Sequence, residues 1–336
     1  MSELPADTLE TNAGPIVLHV PHSSTLIPES IRPDILLSDS ALEAEVRNMT
    51  DSYTDELFAY DGALTTRFPI SRLIVDPERF LDDDEEPMAA CGMGVIYTST
   101  SELKPLRTPP SDAERTELIG RFYEPHHRDL EANVAAALVS NCECVVIDCH
   151  SFPDVPRPYE QSQEPDRPDL CIGTDPFHTP DDLVSYVKAK AKALGMTVAI
   201  NMPFAGALVP AAYYQKRKSV VAIMLEVNRR LYIDERTGKK SEGFAETKDK
   251  IEQLIASIEQ WQGEGFMERL TVDGDLIAKQ FWDGGKPGYS GYVSAYNYYG
   301  SYVVLHDAGM SVYPTRAEAV AQATMRTDAT VEVWTY

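Results

Sequence analysis

Three apolar runs set the frame of this chain. Ile16-Val17-Leu18-His19-Val20, Val145-Val146-Ile147 and the stretch from Ser219 to Leu225 are rich in Val and Ile, and each gives way abruptly to polar residues. Such runs predict strands buried on both faces, as in an α/β sheet. Shorter strands are expected at 63–68, at 71–75 between two arginines, at 168–174 and at 197–200. Apolar residues at helical spacing predict helices over 34–47, 111–140, 180–194 and 247–261, and another starting near Asp51, where Thr50, Asp51 and Ser52 are cap-forming types. Ser111 and Glu114 have the spacing of a capping box, and Pro125 should kink the helix that follows. Strands alternating with helices predict an α/β fold, a mixed and mostly parallel sheet flanked by helices.

The pattern changes near Gln262. Tyr and Gly become frequent, and short strand-like pieces follow at 270–272, 276–281, 291–296 and 302–306, with a helix at 316–324 and a last strand at 330–335. The expected division is a large unit over 1–261 and a small appended α+β unit over 263–336. Within the first unit, the irregular stretch 87–110 and the proline-rich stretch 152–169 are long loops, which in compact domains are often functional.

Composition narrows the function. The chain has 336 residues, 53 acidic against 30 basic, for a net charge of −23. That is the wrong sign for a protein that must cover nucleic-acid phosphates. No run reaches the ~18 apolar residues of a membrane span, and Met1 to Ala13 is polar and acidic, unlike a secretory signal. The five cysteines, Cys91, Cys142, Cys144, Cys149 and Cys171, follow no metal-finger spacing and fit a reducing cytoplasm. Oligomeric state is not readable.

Ligands of open α/β sheets bind outside the carboxyl ends of the strands. The polar residues expected there, or at adjoining helix starts, are His22, Asp51, Arg72, Arg79, His150 and Glu226. Two imidazoles and a carboxylate make a three-ligand set for zinc with a fourth position open. A further carboxylate such as Glu226 suits proton transfer. Arginines suit an acidic substrate through bidentate contact, although either one could instead pair with Asp76 or Glu78. Each residue also has an ordinary structural alternative: a satisfied histidine, a helix-capping Asp51, a salt-bridged Glu226.

Eight motifs in order carry a more specific resemblance. They are Pro21-His22-Ser23-Ser24, Thr50-Asp51, Ser71 to Arg79, Tyr123-Glu124-Pro125-His126-His127, Asp148-Cys149-His150-Ser151, Pro168-Asp169 with Ile172-Gly173-Thr174, Pro203-Phe204-Ala205-Gly206, and Leu225-Glu226-Val227-Asn228-Arg229. Over about residues 14–261 the chain resembles the N-formylglutamate amidohydrolase (deformylase) family. The resemblance implies a phosphorylase/hydrolase-like, zinc carboxypeptidase-like fold and one zinc ion at His22, Asp51 and His150. It also implies Glu226 as general base, and Arg72 or Arg79 on the substrate carboxylate. His127 matches the family's Tyr-x-Pro-x-His pattern and, with Asn228, is a further candidate substrate contact. His19 is either an extra ligand or a buried support; His126, His178 and His306 read as structural.

The implied activity is hydrolysis of the amide bond of an N-acyl amino acid, with N-formyl-L-glutamate giving formate and L-glutamate as the leading candidate. The alternatives are an amidase or peptidase for another N-acyl amino acid or a peptide terminus, and a non-catalytic binding protein on the same fold. Two departures bear on the choice. The family commonly has Asp-x-Asn-Arg where this chain has Asp76-Pro77-Glu78-Arg79, and the loop Phe204-Ala205-Gly206-Ala207 lacks the family's usual second glycine and basic residue. A carboxylate at 78 would repel an acidic ligand, which bears on the substrate more than on the chemistry.

Overall fold

The computed structural model describes residues 14–141 and 143–261, together with the strand backbones at 275–283, 290–298, 301–306 and 309–313. The central sheet has six strands: β1 (Ile16–Val20), β2 (Leu64–Arg67), β3 (Cys144–Phe152), β4 (Leu170–Gly173), β5 (Val198–Ile200) and β6 (Val220–Asn228), in the order β2-β1-β3-β6-β4-β5. The first four in that order are mutually parallel; β4 runs antiparallel to β6 and parallel to β5. The fold is therefore the expected α/β one, with a mixed and mostly parallel sheet.

Among the described residues, six α-helices accompany the sheet: α1 (Asp39–Met49), α2 (Thr54–Leu57), α3 (Asp112–Leu118), α4 (Glu124–Asn141), α5 (Asp181–Ala193) and α6 (Phe244–Glu259). Side chains alternate along strands, so each long strand feeds two layers. Ile16, Leu18, Ile147, Cys149, Ile223 and Leu225 pack on one face with Leu183 and Val187 of α5 and Ile251, Leu254 and Ile255 of α6. Val17, Val146 and Ala222 pack on the other face with Leu130, Val134 and Leu138 of α4. Each large side chain so buried contributes roughly 1.5–3 kcal/mol.

The second face changes character along its length. It is apolar at Val17, Val146 and Ala222, then polar at His19, Asp148, His150 and Glu226, which continue the same alternation toward the carboxyl ends. Parallel register pairs His19 with Asp148 and His150 with Glu226. The sheet itself thus gathers four ionisable side chains on one face at one end.

Three local expectations are corrected. Residues 71–79 are not a strand. Leu73, Ile74 and Val75 are fully buried, but in a separate cluster with Met93, Val95 and Tyr97. Their backbone turns, with Ile74 N–H bonding to Ser71 and Asp76 N–H bonding to Val95. The run is apolar because the turn is buried, not because it is extended. Asp51 caps no helix through its side chain: α2 starts from Tyr53, whose φ is 63°, and the Asp51 carboxylate turns inward. The 111–140 helix is interrupted. Ser111 and Glu114 form the capping box, but residues Ile119–Tyr123 make a π-helical turn before Pro125, with Glu124 N–H reaching Ile119 O. Proline cannot supply an N–H and its ring crowds the preceding turn, which the wider turn relieves.

Beyond residue 261, four strands, β7 (Asp275–Asp283), β8 (Ser290–Tyr298), β9 (Ser301–His306) and β10 (Gly309–Tyr313), form an antiparallel sheet in the order β10-β9-β8-β7. The strand at 309–313 was not expected from the sequence. The strand at 270–272, the helix at 316–324 and the strand at 330–335 lie outside the described residues. Among the described residues, no helix is long and apolar enough to cross a membrane.

Candidate active site

His22 leaves β1 in a segment that Pro21 keeps from turning helical. Its backbone carbonyl accepts the Asp51 N–H at 3.0 Å, which brings the loop before α2 against the end of β1. His150 comes from β3. Asp51 Oδ2 stands 3.1 Å from His150 Nδ1 and 3.7 Å from His22 Nδ1. The three side chains, far apart in the chain, thus share one spot, and all are nearly sealed from water.

The outer nitrogens of both rings are already engaged. His22 Nε2 lies 2.8 Å from Asp76 Oδ1, and His150 Nε2 lies 3.0 Å from both Asp148 Oδ1 and Glu78 Oε1. Carboxylates only accept, so each Nε2 donates; His150 Nδ1 is at hydrogen-bond distance from Asp51 Oδ2 as well, whereas His22 Nδ1 only faces it. His22 Nδ1 is buried without a hydrogen-bond partner; 3.7 Å is too long for one. An orphaned, inward-facing imidazole nitrogen beside a carboxylate is the donor arrangement a cation of zinc type requires. Bonds of about 2.0–2.1 Å at the tetrahedral angle put ligands about 3.3 Å apart, between the two separations found. By donor type, two imidazoles and a carboxylate suit such an ion. Among the described residues, His22-Glu78-His150 and His19-Glu78-Asp148 each bring their ligand atoms within 4.8 Å of one another, compact enough to hold a cation. On the Asp51 side, His150 Nδ1 already lies at hydrogen-bond distance from a carboxylate, and His22 Nδ1 is the one nitrogen of these two rings without a partner.

Charge is arranged to keep these acids ionised. Burial works against Asp51, but His150, His22 and Arg229 outweigh it and hold its carboxyl well below the usual range. Arg229 Nη2 grips Asp51 Oδ1 at 2.7 Å and its Nε donates to Ser151 Oγ. Burial likewise opposes Asp76 ionising, and Arg72, His22 and Arg79 overcome it. Arg72 forks onto Asp76 Oδ2 through Nη2 at 2.8 Å and Nε at 3.2 Å, and the Tyr97 hydroxyl donates to the same oxygen at 2.6 Å.

Glu226 behaves differently. It is 7% exposed, and its Oε2 has no partner. Desolvation pushes its pKa up to about 8; the nearby His150 charge pulls it down, while Asp51 and Glu78 push it up. A buried carboxyl so perturbed, register partner to His150, is suited to taking and returning a proton near neutral pH.

The other candidates take varied places. Arg72 is occupied by Asp76. Arg79 lies 3.7 Å from Asp76 Oδ2, and its buried Nε has no partner. His127 Nε2 donates to Pro77 O at 2.8 Å while its ring packs on Tyr123, so it props the turn carrying Asp76, Glu78 and Arg79. Burial lowers its pKa to about 4. Asn228 is fully buried, its amide donating to Asp154 Oδ1 and Pro168 O and accepting Arg230 N–H; none of these contacts reaches the cluster. His19 bonds Asp148, not the spot between His22 and His150. Asp148, Arg229 and Tyr97 were not singled out from the sequence; the alternation that places His150 at the strand end also places Asp148 two residues earlier on the same face. A groove of about 690 Å³ lies alongside, lined by Ser23, Ser52, Tyr53, Arg47 and Arg67. It contains none of the clustered acids or histidines.

The chain also matches known proteins. The family model described as N-formylglutamate amidohydrolase matches residues 14–233. The crystal structure of N-formylglutamate amidohydrolase from Ralstonia eutropha JMP134 is 25% identical, with a TM-score of 0.64 over 75% of this chain and 95% of that one. A gene product from Agrobacterium tumefaciens is 21% identical with a TM-score of 0.49, over 73% of this chain and 92% of that one. No significant match was found among curated proteins. With a family model covering 14–233 and every motif of the site inside it, this chain belongs to the N-formylglutamate amidohydrolase family.

Proposed function

We propose that the protein hydrolyses N-formyl-L-glutamate to formate and L-glutamate at a single divalent ion, most simply zinc, held by His22 Nδ1, Asp51 and His150 Nδ1. The family supports the reaction class. The orphaned Nδ1 of His22 is the observation that carries the ion's position. Bound there, zinc would supply Lewis acidity toward the formyl oxygen and toward an attacking water.

The chain's own groups do the rest. Glu226 accepts the water proton as oxygen adds to the formyl carbon, then delivers it to the glutamate nitrogen as the C–N bond breaks. Its burial keeps the carboxyl basic enough for the first transfer and acidic enough for the second. Arg79, with a donor still unpaired, is the residue to hold a substrate carboxylate; Arg72 instead keeps Asp76 ionised, and Asp76 orients His22. His127 steadies the Arg79 turn. The free thiols Cys91, Cys144, Cys149 and Cys171 fit action in a reducing cytoplasm.

One observation favours a second reading, another N-acyl amino acid. Glu78 is a partly exposed carboxylate 3.0 Å from His150 and would disfavour a doubly charged substrate. Formate release should be measured from N-formyl-L-glutamate and from a panel of N-acyl amino acids, before chelation, after it and after zinc is returned. Loss and recovery of turnover on N-formyl-L-glutamate, with Glu226→Gln inactive throughout, is the expected result. Undiminished turnover after complete metal removal would overturn the metal reading, and faster turnover of a singly charged substrate would favour the second reading.

A further inference from the structure

The groove beside the active site is bounded by α1, α2, the end of β2 and the turn at Thr237-Gly238, and it encloses about 690 Å³. That is the size of a small-molecule site. Leu42 and Val46, one turn apart on α1, form an apolar wall with Ile27 and Tyr53. None of the acids or histidines of the active site lines it, so whatever it holds is not the molecule being cleaved.

Its charges separate by partner. The charged lining residues are Asp39, Glu43, Arg47, Asp55, Glu56 and Arg67. Arg32 holds Asp39 at 2.6 Å, Arg67 holds Asp55 at 2.7 Å and Lys240 holds Glu56 at 2.6 Å. Glu43 and Arg47 are left, and among the described residues neither has an ion pair or a hydrogen bond. Glutamate and arginine at this helical spacing commonly pair with each other. Here the Arg47 stem is drawn aside over Gly238, where an added Cβ would stand 2.9 Å from Arg47 Cδ. The Tyr53 hydroxyl fixes that turn by donating to Gly238 O at 3.1 Å. Ser23 lines the same groove, is 7% exposed, and its Oγ has no partner. An unpaired cation, an unpaired anion and an unpaired hydroxyl thus meet beside an apolar wall.

We infer that this groove is a second ligand site, which takes a free α-amino acid with a large apolar side chain: carboxylate on Arg47, ammonium on Glu43, side chain along Ile27, Leu42, Val46 and Tyr53. The inference is independent of the metal site. Cβ atoms of residues four apart on a helix lie about 5–6 Å from each other, a gap that the head of an α-amino acid bridges. A guanidinium takes both oxygens of a carboxylate in a fork. The balance of charge selects the zwitterion. Four carboxylates against two guanidiniums line the groove, which disfavours a simple anion, and the unpaired Arg47 disfavours a simple cation. An amino acid brings one charge of each sign and no net charge.

The test uses the full chain and L-phenylalanine as the probe, with binding followed by isothermal titration calorimetry. Two analogues need no variant: L-phenylalaninamide lacks the carboxylate and 3-phenylpropionate lacks the ammonium. A hydrogen bond to a charged group is worth about tenfold or more in affinity. Wild type should bind one L-phenylalanine per chain, and each analogue about tenfold more weakly. Arg47→Met, checked for fold by circular dichroism, should bind L-phenylalanine about tenfold more weakly and no longer distinguish it from the amide. Glu43→Gln should likewise no longer distinguish it from 3-phenylpropionate. No binding of L-phenylalanine to wild type at millimolar concentration overturns the inference, as does equal affinity for all three compounds. Binding undiminished in Arg47→Met also overturns it. If that binding is lost on chelation, the ligand sits at the metal site instead, and the proposed function is left standing.

Discussion

Replacing Glu226 with glutamine should make the metal-free protein more stable at high pH. Glu226 is 7% exposed, and desolvation, its largest influence, raises its pKa from the ordinary 4.5 to about 8. Between those values the folded state holds a proton that the unfolded chain has released, so stability falls as pH rises. The contribution is complete below pH 4.5 and gone once pH passes about 8. At about 1.4 kcal/mol per unit, the 2.5 units from 4.5 to 7 correspond to about 3 kcal/mol. Glutamine keeps the shape and cannot ionise. Urea unfolding of chelator-treated wild type and Glu226→Gln, followed by circular dichroism from pH 5 to 8.5, reads the difference directly. The wild type should lose about 3 kcal/mol relative to the variant by pH 7. Parallel curves for the two proteins would refute the assignment of Glu226 as a buried, desolvated carboxyl, and with it the physical basis for its role as base.

Other outcomes follow from single contacts. Asp76→Asn removes the carboxylate that accepts from His22 Nε2; zinc affinity by chelator competition should fall about 10–100-fold. Arg229→Met leaves Asp51 buried without its 2.7 Å partner and should cost about 3–5 kcal/mol in denaturant unfolding of the metal-free protein. Ser111→Ala opens the capping box of α3; a loss of about 1 kcal/mol is expected, with formate release unchanged.

What the sequence revealed and what it concealed have physical causes. β1, β3 and β6 were legible because a strand covered on both faces must be apolar without interruption, and only its carboxyl end is free to turn polar. That break is where His22, His150 and Glu226 lie. Residues 71–79 misled because Leu73-Ile74-Val75 satisfy the same hydrophobic demand inside a buried turn, and periodicity cannot separate the two over three residues. Asp51 is a helix-starting residue type, yet its carboxylate serves the cluster because Tyr53, with φ of 63°, starts the helix without it. The pairing of Arg72 with Asp76 was among the sequence alternatives. The contacts of Asp148 with His19, and of His19 with His126, were not, because they depend on strand register and on α4 lying over one face, which no local pattern encodes.

The most direct test of the central claim is a crystal structure of the zinc-loaded protein with anomalous scattering measured at the zinc edge. The account predicts one peak about 2.0–2.2 Å from His22 Nδ1, His150 Nδ1 and an Asp51 oxygen, with Glu226 facing it. A peak against the Nε2 atoms beside Glu78, or no peak between His22 and His150 at all, would contradict it.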